Sequence, residues 1–208
     1  MTLPLLVVAS SYFLGAIPFG YLIVRITQGR DIRTVGSGNI GATNVMRSNK
    51  WQGILTLLLD AGKGYLAVEA ARWLMGPEAD IWITVAAFTA VFGHIFTVFL
   101  HFKGGKGVAT GCGAYLAIMP WAVLTTLVVF ALVVLLTRYV SLGSILATGL
   151  FPLWAYLYGY GDGHMAIVWG AIPGAALIIG RHHENIRRLF QGTERKFGTK
   201  KPTQETTR

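Results

Sequence analysis

Three polar stretches carry the residues that could do chemistry. The first, 36–47, reads Gly36-Ser37-Gly38-Asn39-Ile40-Gly41-Ala42-Thr43-Asn44-Val45-Met46-Arg47. Gly36, Gly38 and Gly41 give a backbone free to visit positive φ. Such a backbone can turn several N–H groups toward one anion. Ser37, Asn39, Thr43 and Asn44 add side-chain donors, and Arg47 adds a guanidinium able to bind a phosphate bidentately. The glycines match GxGxxG, but that fingerprint needs a strand before it and a βαβ unit around it. Here an apolar run precedes it. The plainer alternative is a flexible loop with a surface arginine.

The second stretch, 93–110, centres on Lys103-Gly104-Gly105-Lys106-Gly107. It resembles a phosphate loop but lacks the GxxxxGK[ST] spacing, so a nucleotide triphosphatase site does not follow. Glycines beside lysines at the start of a helix still suit an anion, because free N–H groups and the positive end of the dipole face it. Two ordinary cytoplasmic lysines are the alternative. His94 lies within an apolar run and reads first as a structural histidine. The third stretch, 181–196, holds His182, His183, Glu184, Asn185 and four arginines. Read as a helix leaving the membrane, it puts His182 and Asn185 on one side. Ile186, Leu189 and Phe190 form an apolar face. A basic helix meeting anionic lipid is the alternative.

The elements that must position these stretches are membrane spans. Of the 208 residues, 53% are hydrophobic and 13% charged, where a soluble domain carries about 25% charged residues. The net charge of +9 sits between apolar runs, so the membrane explains it more simply than nucleic acid does. The single cysteine, Cys112, allows no internal disulfide and no cysteine metal cluster. Apolar runs at 3–26, 51–75, 81–100, 108–137, 140–158 and 165–180 approach or exceed the length of a span. Pro120 divides the long run 108–137. Two short helices there give seven spans. Lys and Arg stay on the cytoplasmic side, and only seven spans with the N-terminus outside keep Arg25, Arg30, Arg33, Arg47, Lys50, Lys103, Lys106, Arg138 and the basic C-terminal segment together. Glu78, Asp80 and Asp162 then lie outside, with Arg72 near them. The expected fold is all-α and polytopic, with some spans short. Residues 1–198 form one membrane domain, and 199–208 a flexible polar tail.

Together the three stretches place serine, histidine, asparagine, arginine and lysine on one membrane face. That set suits a phosphate monoester and acyl transfer, which needs a base for the attacking hydroxyl and donors for the developing oxyanion. Asp60 and Lys63 add two charges inside a span. Ionisable groups at that depth pair with each other or serve function, and the sequence leaves both open.

The runs at 36–45 and 102–110, with His182-His183-Glu184-Asn185-Ile186-Arg187-Arg188-Leu189 and Gly192-Thr193-Glu194, resemble the three signatures of the PlsY family, bacterial acyl-phosphate:glycerol-3-phosphate acyltransferases. The resemblance covers nearly the whole chain, in order. It implies transfer of an acyl group from acyl phosphate to the sn-1 hydroxyl of glycerol 3-phosphate, giving lysophosphatidic acid and phosphate, the first acylation of phospholipid synthesis. It implies no metal, no cofactor and no thioester donor, and a seven-helix fold with its site facing the cytoplasm of a bacterial inner membrane. By resemblance Ser37, His182 and Asn185 serve catalysis. Gly36, Gly38, Asn39, Gly41, Thr43, Asn44, Arg47, Gly104, Gly105, Lys106, Gly107 and Ser144 hold glycerol 3-phosphate. Asp60, Lys63, Lys103 and Glu184 contact acyl phosphate or are structural, and the structural glutamate is Glu184 or Glu194. Expected partners are glycerol 3-phosphate, acyl phosphate and the bilayer, with no nucleic acid, and the chain is expected to work as a monomer. Met46, Thr97 and His183 depart from the family's Leu, Pro and Arg or Lys.

The commoner acyltransferase motif H-x4-D is absent. Five residues after His94, His101, His164, His182 and His183 stand Phe99, Lys106, Trp169, Arg187 and Arg188. The rival function is an organic-phosphate transporter or channel, which predicts inverted repeats and broken helices near the midplane. The polarity here gathers at one face instead.

Overall fold

The computed structural model describes residues 2–159 and 163–198. The expected tail at 199–208 and Asp162 lie outside the described residues. Among these residues every regular element is helical: α1 (Thr2–Ala16), α2 (Phe19–Gln28), α3 (Ala42–Ser48), α4 (Lys50–Met75), α5 (Asp80–Ile95), α6 (Val108–Leu116), α7 (Pro120–Thr137), α8 (Val140–Gly159), α9 (Met165–Gly180) and α10 (His183–Phe190). Single 3-10 turns stand just before the first polar stretch, at Ile32–Thr34, and inside the second, at Val98–Leu100.

The expected single helix at 3–26 is two helices. Pro18 has no N–H to donate and blocks the helical turn before it, so the chain breaks between α1 and α2. The freed carbonyls find donors on other helices. Thr97 Oγ1 donates to Ala16 O at 2.6 Å and Lys63 Nζ donates to Ile17 O at 2.7 Å. The hydroxyl at position 97 thus fills a need that a proline could not.

The run 108–137 does divide at Pro120. α6 ends at Leu116, and α7 begins with the proline in its first turn, where its missing N–H costs nothing. α6 has nine residues, a rise of only about 14 Å. Small residues let it pack backbone to backbone against α4. A Cβ on Gly64 would strike Thr110 O, and one on Gly113 would strike Ala61 O. Gly15 and Gly93 do the same for α1 and α5. Such contacts are how helices associate without a hydrophobic driving force.

Four stretches are long and apolar enough to cross a bilayer: Thr2–Gln28, Asp80–Leu100, Pro120–Thr137 and Val140–Gly159. α9 and α10, bent by 57°, make a fifth if taken as one span. α4 has the length, but Asp60, Lys63, Glu69 and Arg72 lie along it. Leu58, Trp73, Leu136 and Trp169 stand exposed on the outer helix faces, an apolar surface that water would not tolerate. The packed centre lies among α4 to α9, where Val68, Ile83, Tyr115, Phe151, Ala155 and Val168 are buried together.

Candidate active site

The first polar stretch is a loop closed on one buried side chain. Asn44 Nδ2 donates to Val35 O at 2.9 Å, to Asn39 O at 2.8 Å and more weakly to Ile32 O at 3.4 Å, and its Oδ1 accepts from Ser37 N at 2.9 Å. The amide is therefore spent inside the loop, and Asn44 shapes the turn rather than facing a ligand. Gly36 and Gly38 have φ of 63° and 72°, a region that side chains disfavour. Asn39 Oδ1 accepts from Gly41 N at 2.7 Å, so this amide too serves the turn. What remains facing outward is the Ser37 hydroxyl, exposed at the tip, with Thr43 half-buried and Arg47 exposed on α3.

The second stretch folds back along the end of α5. Gly104 N donates to Ile95 O at 3.0 Å and Gly105 N to His94 O at 3.1 Å. Any Cβ at Gly104 would meet His94 O, and one at Gly105 would meet the His94 ring. These two glycines permit close approach to a helix, and their N–H groups are already bonded. Gly107 has φ of 86° and begins α6 as its N-cap. The turn aims Lys106 inward while Lys103 stays exposed.

Lys106 meets the third stretch. Its Nζ donates to Asn185 Oδ1. Asn185 Nδ2 donates to Glu194 Oε1 at 2.7 Å, and Ser141 Oγ donates to the same oxygen at 2.7 Å. Arg188 Nε donates to Glu194 Oε2 at 2.7 Å. One carboxylate thus gathers α8, α10 and, through Asn185, the second loop. Burial pushes the Glu194 carboxyl up. The bonds from Arg188, Ser141 and Asn185 outweigh that and hold it below the ordinary carboxylate value. Close by, Phe197 N donates to Arg138 O at 2.7 Å, which ties the segment after α10 to the turn between α7 and α8.

His182 is buried, and its Nδ1 lies 2.8 Å from Ile178 O. A carbonyl only accepts, so Nδ1 carries the proton and Nε2 keeps a lone pair. Burial, and then the Lys106 charge, push the imidazole down to about 4. Burial also pushes Lys106 down to about 8, with Glu194 pulling the other way. Arg47 stands near enough to the third stretch to feel it. Partial burial lowers its pKa most, Arg195 next, and Glu194 opposes them. The result is a cationic cluster of Arg47, Lys106 and Arg188 around Glu194, with the neutral His182 beside Lys106.

Beside this cluster an apolar groove runs between α5, α6, α7, α8 and α9. Its empty volume is about 670 Å³, counted out to its open side. Val108, Ser144 and Ile178 line the end next to Lys106 and His182. Exposed Leu127 and half-buried Phe130 of α7 stand at the lipid-facing side.

Ser144 lines the groove end next to this cluster, its Oγ donating back to Val140 O at 2.9 Å, and Ser141, one turn earlier, bonds Glu194. Glu184 is exposed and lies 3.6 Å from Arg188. Glu194, beyond the helix, is the carboxylate that organises the site. Asp60 and Lys63 pair at 2.7 Å in the packed bundle, with side chains 2% and 1% exposed. Lys63 Nζ also lies 2.9 Å from His94 Nδ1. An ammonium has no lone pair, so that ring nitrogen accepts. Asp60 and Lys63 are cross-links between helices.

A family model described as glycerol-3-phosphate acyltransferase matches residues 5–192. A relative of that name from Anaeromyxobacter dehalogenans is 47% identical over 194 residues, covering 92% of this chain and 96% of its own. Another, from Geobacter sulfurreducens, is 45% identical over 194 residues, covering 93% and 97%. A crystal structure of PlsY, an integral membrane glycerol 3-phosphate acyltransferase in its glycerol 3-phosphate form, superposes with a TM-score of 0.85 at 42% identity. That match covers 94% of this chain and 96% of the other. A PlsY structure in the lysophosphatidic acid form gives 0.84 at 40% identity, with the same coverage of each.

Proposed function

This chain belongs to the glycerol-3-phosphate acyltransferase family, and we propose that it transfers a fatty acyl group from acyl phosphate to the sn-1 hydroxyl of glycerol 3-phosphate. The products are lysophosphatidic acid and phosphate. The observation that carries this reading is a cationic cluster at the mouth of an apolar groove. That pairing suits an activated lipid with a phosphate head, and it favours the acyltransferase over the organic-phosphate transporter. Residues 1–198 act as one catalytic membrane domain.

Arg47 and Lys106 grip the phosphate of glycerol 3-phosphate, with Ser37 and Thr43 at the rim. The acyl chain lies in the groove. The donor is already activated, so positioning supplies much of the rate. The sn-1 oxygen attacks the acyl carbon, the bond to phosphate breaks, and the hydroxyl proton passes to the departing phosphate oxygen. Ser37 or the free Nε2 of His182 assists that transfer. Glu194 is not the base, because three donors occupy its oxygens and lower its affinity for a proton. No metal or organic cofactor enters this scheme.

Seven spans with the N-terminus outside place all three polar stretches in the cytoplasm of a bacterial inner membrane. The Phe197–Arg138 and Glu194–Ser141 bonds support that arrangement, since they bring the last segment to the α7–α8 turn. α6 and the second loop then return to the same face.

The test is product formation by purified enzyme offered acyl phosphate, acyl-CoA or acyl-carrier protein. Only acyl phosphate is expected to yield lysophosphatidic acid. Ser37→Ala and His182→Ala are each expected to lose about a hundredfold or more in kcat. Activity of both variants within a few-fold of wild type would remove the roles given to them.

A pH profile tests the phosphate grip. Lys106 is charged below about pH 8 and neutral above it, so its attraction for phosphate is present at low pH and lost as pH rises. The ratio kcat/KM for glycerol 3-phosphate, which reports the free enzyme, is expected to fall through about pH 8. Lys106→Arg stays charged and should lack that limb even if its rate is lower. An identical limb in the variant would assign it to another group.

A further inference from the structure

The groove has a closed end as well as an open side. Its residues recur one turn apart on three helices. Val108, Gly111 and Tyr115 lie along α6, Ser144, Thr148 and Phe151 on α8, and Ala171, Gly174 and Ile178 on α9. From the Lys106 end to the far end each helix advances about seven residues, or about 10 Å. The far end is a tilted pair of rings, Tyr115 and Phe151, with centroids 4.7 Å apart. Behind it Met119, Ala155 and Val168 belong to the packed centre, so the groove does not continue.

Two features of this end bear on what fills it. Tyr115 is 6% exposed, and its hydroxyl is buried with no hydrogen-bond partner among the described residues. Buried hydroxyls ordinarily find partners, so packing and not polarity accounts for a ring at this place. Gly174 is the second feature. A Cβ there would meet only the Tyr115 hydroxyl, at 3.8 Å, an ordinary contact. Most helix-facing glycines of this chain would strike a backbone, as Gly64 and Gly113 do. Gly174 is therefore not required for helix contact. What it leaves is room in the groove, directly above Tyr115.

We infer that the Tyr115–Phe151 pair is the stop against which the donor's acyl chain ends or turns, and that Gly174 keeps the last turn above it open. Together they set acyl-chain preference. This rests on the acyltransferase reading given above. Apolar pockets discriminate by added or missing methylenes, and each is worth roughly tenfold or more where the wall is rigid. A stop buried in the packed centre is such a wall.

The experiment compares butyryl and palmitoyl phosphate as donors for wild type, Gly174→Leu and Tyr115→Leu. Leucine is a good helix former where glycine is a poor one, so Gly174→Leu should fold. It is expected to lower kcat/KM for palmitoyl phosphate by roughly tenfold or more while butyryl phosphate, whose chain ends before Gly174, changes little. Tyr115→Leu lowers the stop and is expected to move the ratio toward palmitoyl. An equal loss on both donors in Gly174→Leu, or an unchanged ratio in both variants, would overturn the proposal. Labelling supplies a readout without turnover. A non-hydrolysable acyl phosphonate with a photoreactive group at its chain end should mark peptides of α6 and α8 around Tyr115 and Phe151. Marking only of lipid-facing α7 residues would also overturn it. Wild type that marks at Tyr115 yet makes no lysophosphatidic acid would leave the stop standing and strike the proposed reaction alone.

Discussion

Replacing Glu194 with glutamine is expected to lower kcat/KM by about a hundredfold, although the residue touches no substrate. The carboxylate accepts on both oxygens, from Ser141 and Asn185 on one and from Arg188 on the other. Glutamine keeps one acceptor oxygen and presents two N–H donors in place of the second. Whichever way the amide turns, a donor meets a donor. If the oxygen stays with Arg188, Asn185 loses its anchor, and Asn185 is what Lys106 leans on. A displacement of about 1 Å at a positioned cation is enough for about a hundredfold in rate. Steady-state kinetics beside a thermal melt separates this from unfolding. Kinetics within about threefold of wild type would show that the cluster tolerates the loss, and that the carboxylate is incidental. Ser141→Ala removes one donor and leaves the others, so its expected effect is only a few-fold.

The second large effect is on stability. Lys63→Met is expected to cost about 3–5 kcal/mol, as removal of one partner of a buried ion pair does. A melting temperature lower by about 10 °C follows for a chain of this size. Three acceptors lose their donor at once: Asp60 Oδ1, Ile17 O and His94 Nδ1. Asp60 is left with only His94, 3.6 Å away, which must take up a proton to pair with it, and this buried charge is the most expensive of the three losses. The paired change Asp60→Asn with Lys63→Met removes that charge and should be more stable than the single variant, though below wild type because Ile17 O still lacks its donor. If the single variant melts no lower than the double, the pair is not what holds α1, α4 and α5 together. Activity cannot stand in for the melt here, because His94 also abuts the second loop.

Particular residues show what the sequence could and could not disclose. The break at Pro120 was legible, because one proline sits between two apolar runs and charge placement demands a turn. The break at Pro18 was not, although the same residue type stands in the same kind of run. A window of apolar residues averages over it, and the donors that make the break tolerable, Thr97 and Lys63, come from helices far along the chain. By composition the glycines of the second loop suit an anion. Gly104 and Gly105 also give close approach to α5, and composition cannot separate the two uses. Asn39 and Asn44 pose a related ambiguity: an amide suits a phosphate and a turn equally well, and only burial and bonding partners distinguish them. Glu194 and Ser141 stand 53 positions apart. No local pattern joins such a pair, whereas His182 and Asn185 lie within one turn and could be grouped by spacing alone.

The side opening of the groove has a consequence for how supply and demand are reckoned. A chain-bearing donor that enters past Leu127 and Phe130 comes from the plane of the bilayer, and its abundance is a mole fraction among lipids. Glycerol 3-phosphate comes from water and is counted in molar units. On the proposed reaction the enzyme takes its two substrates from two phases, and diluting the protein with more lipid starves it of one substrate while leaving the other unchanged.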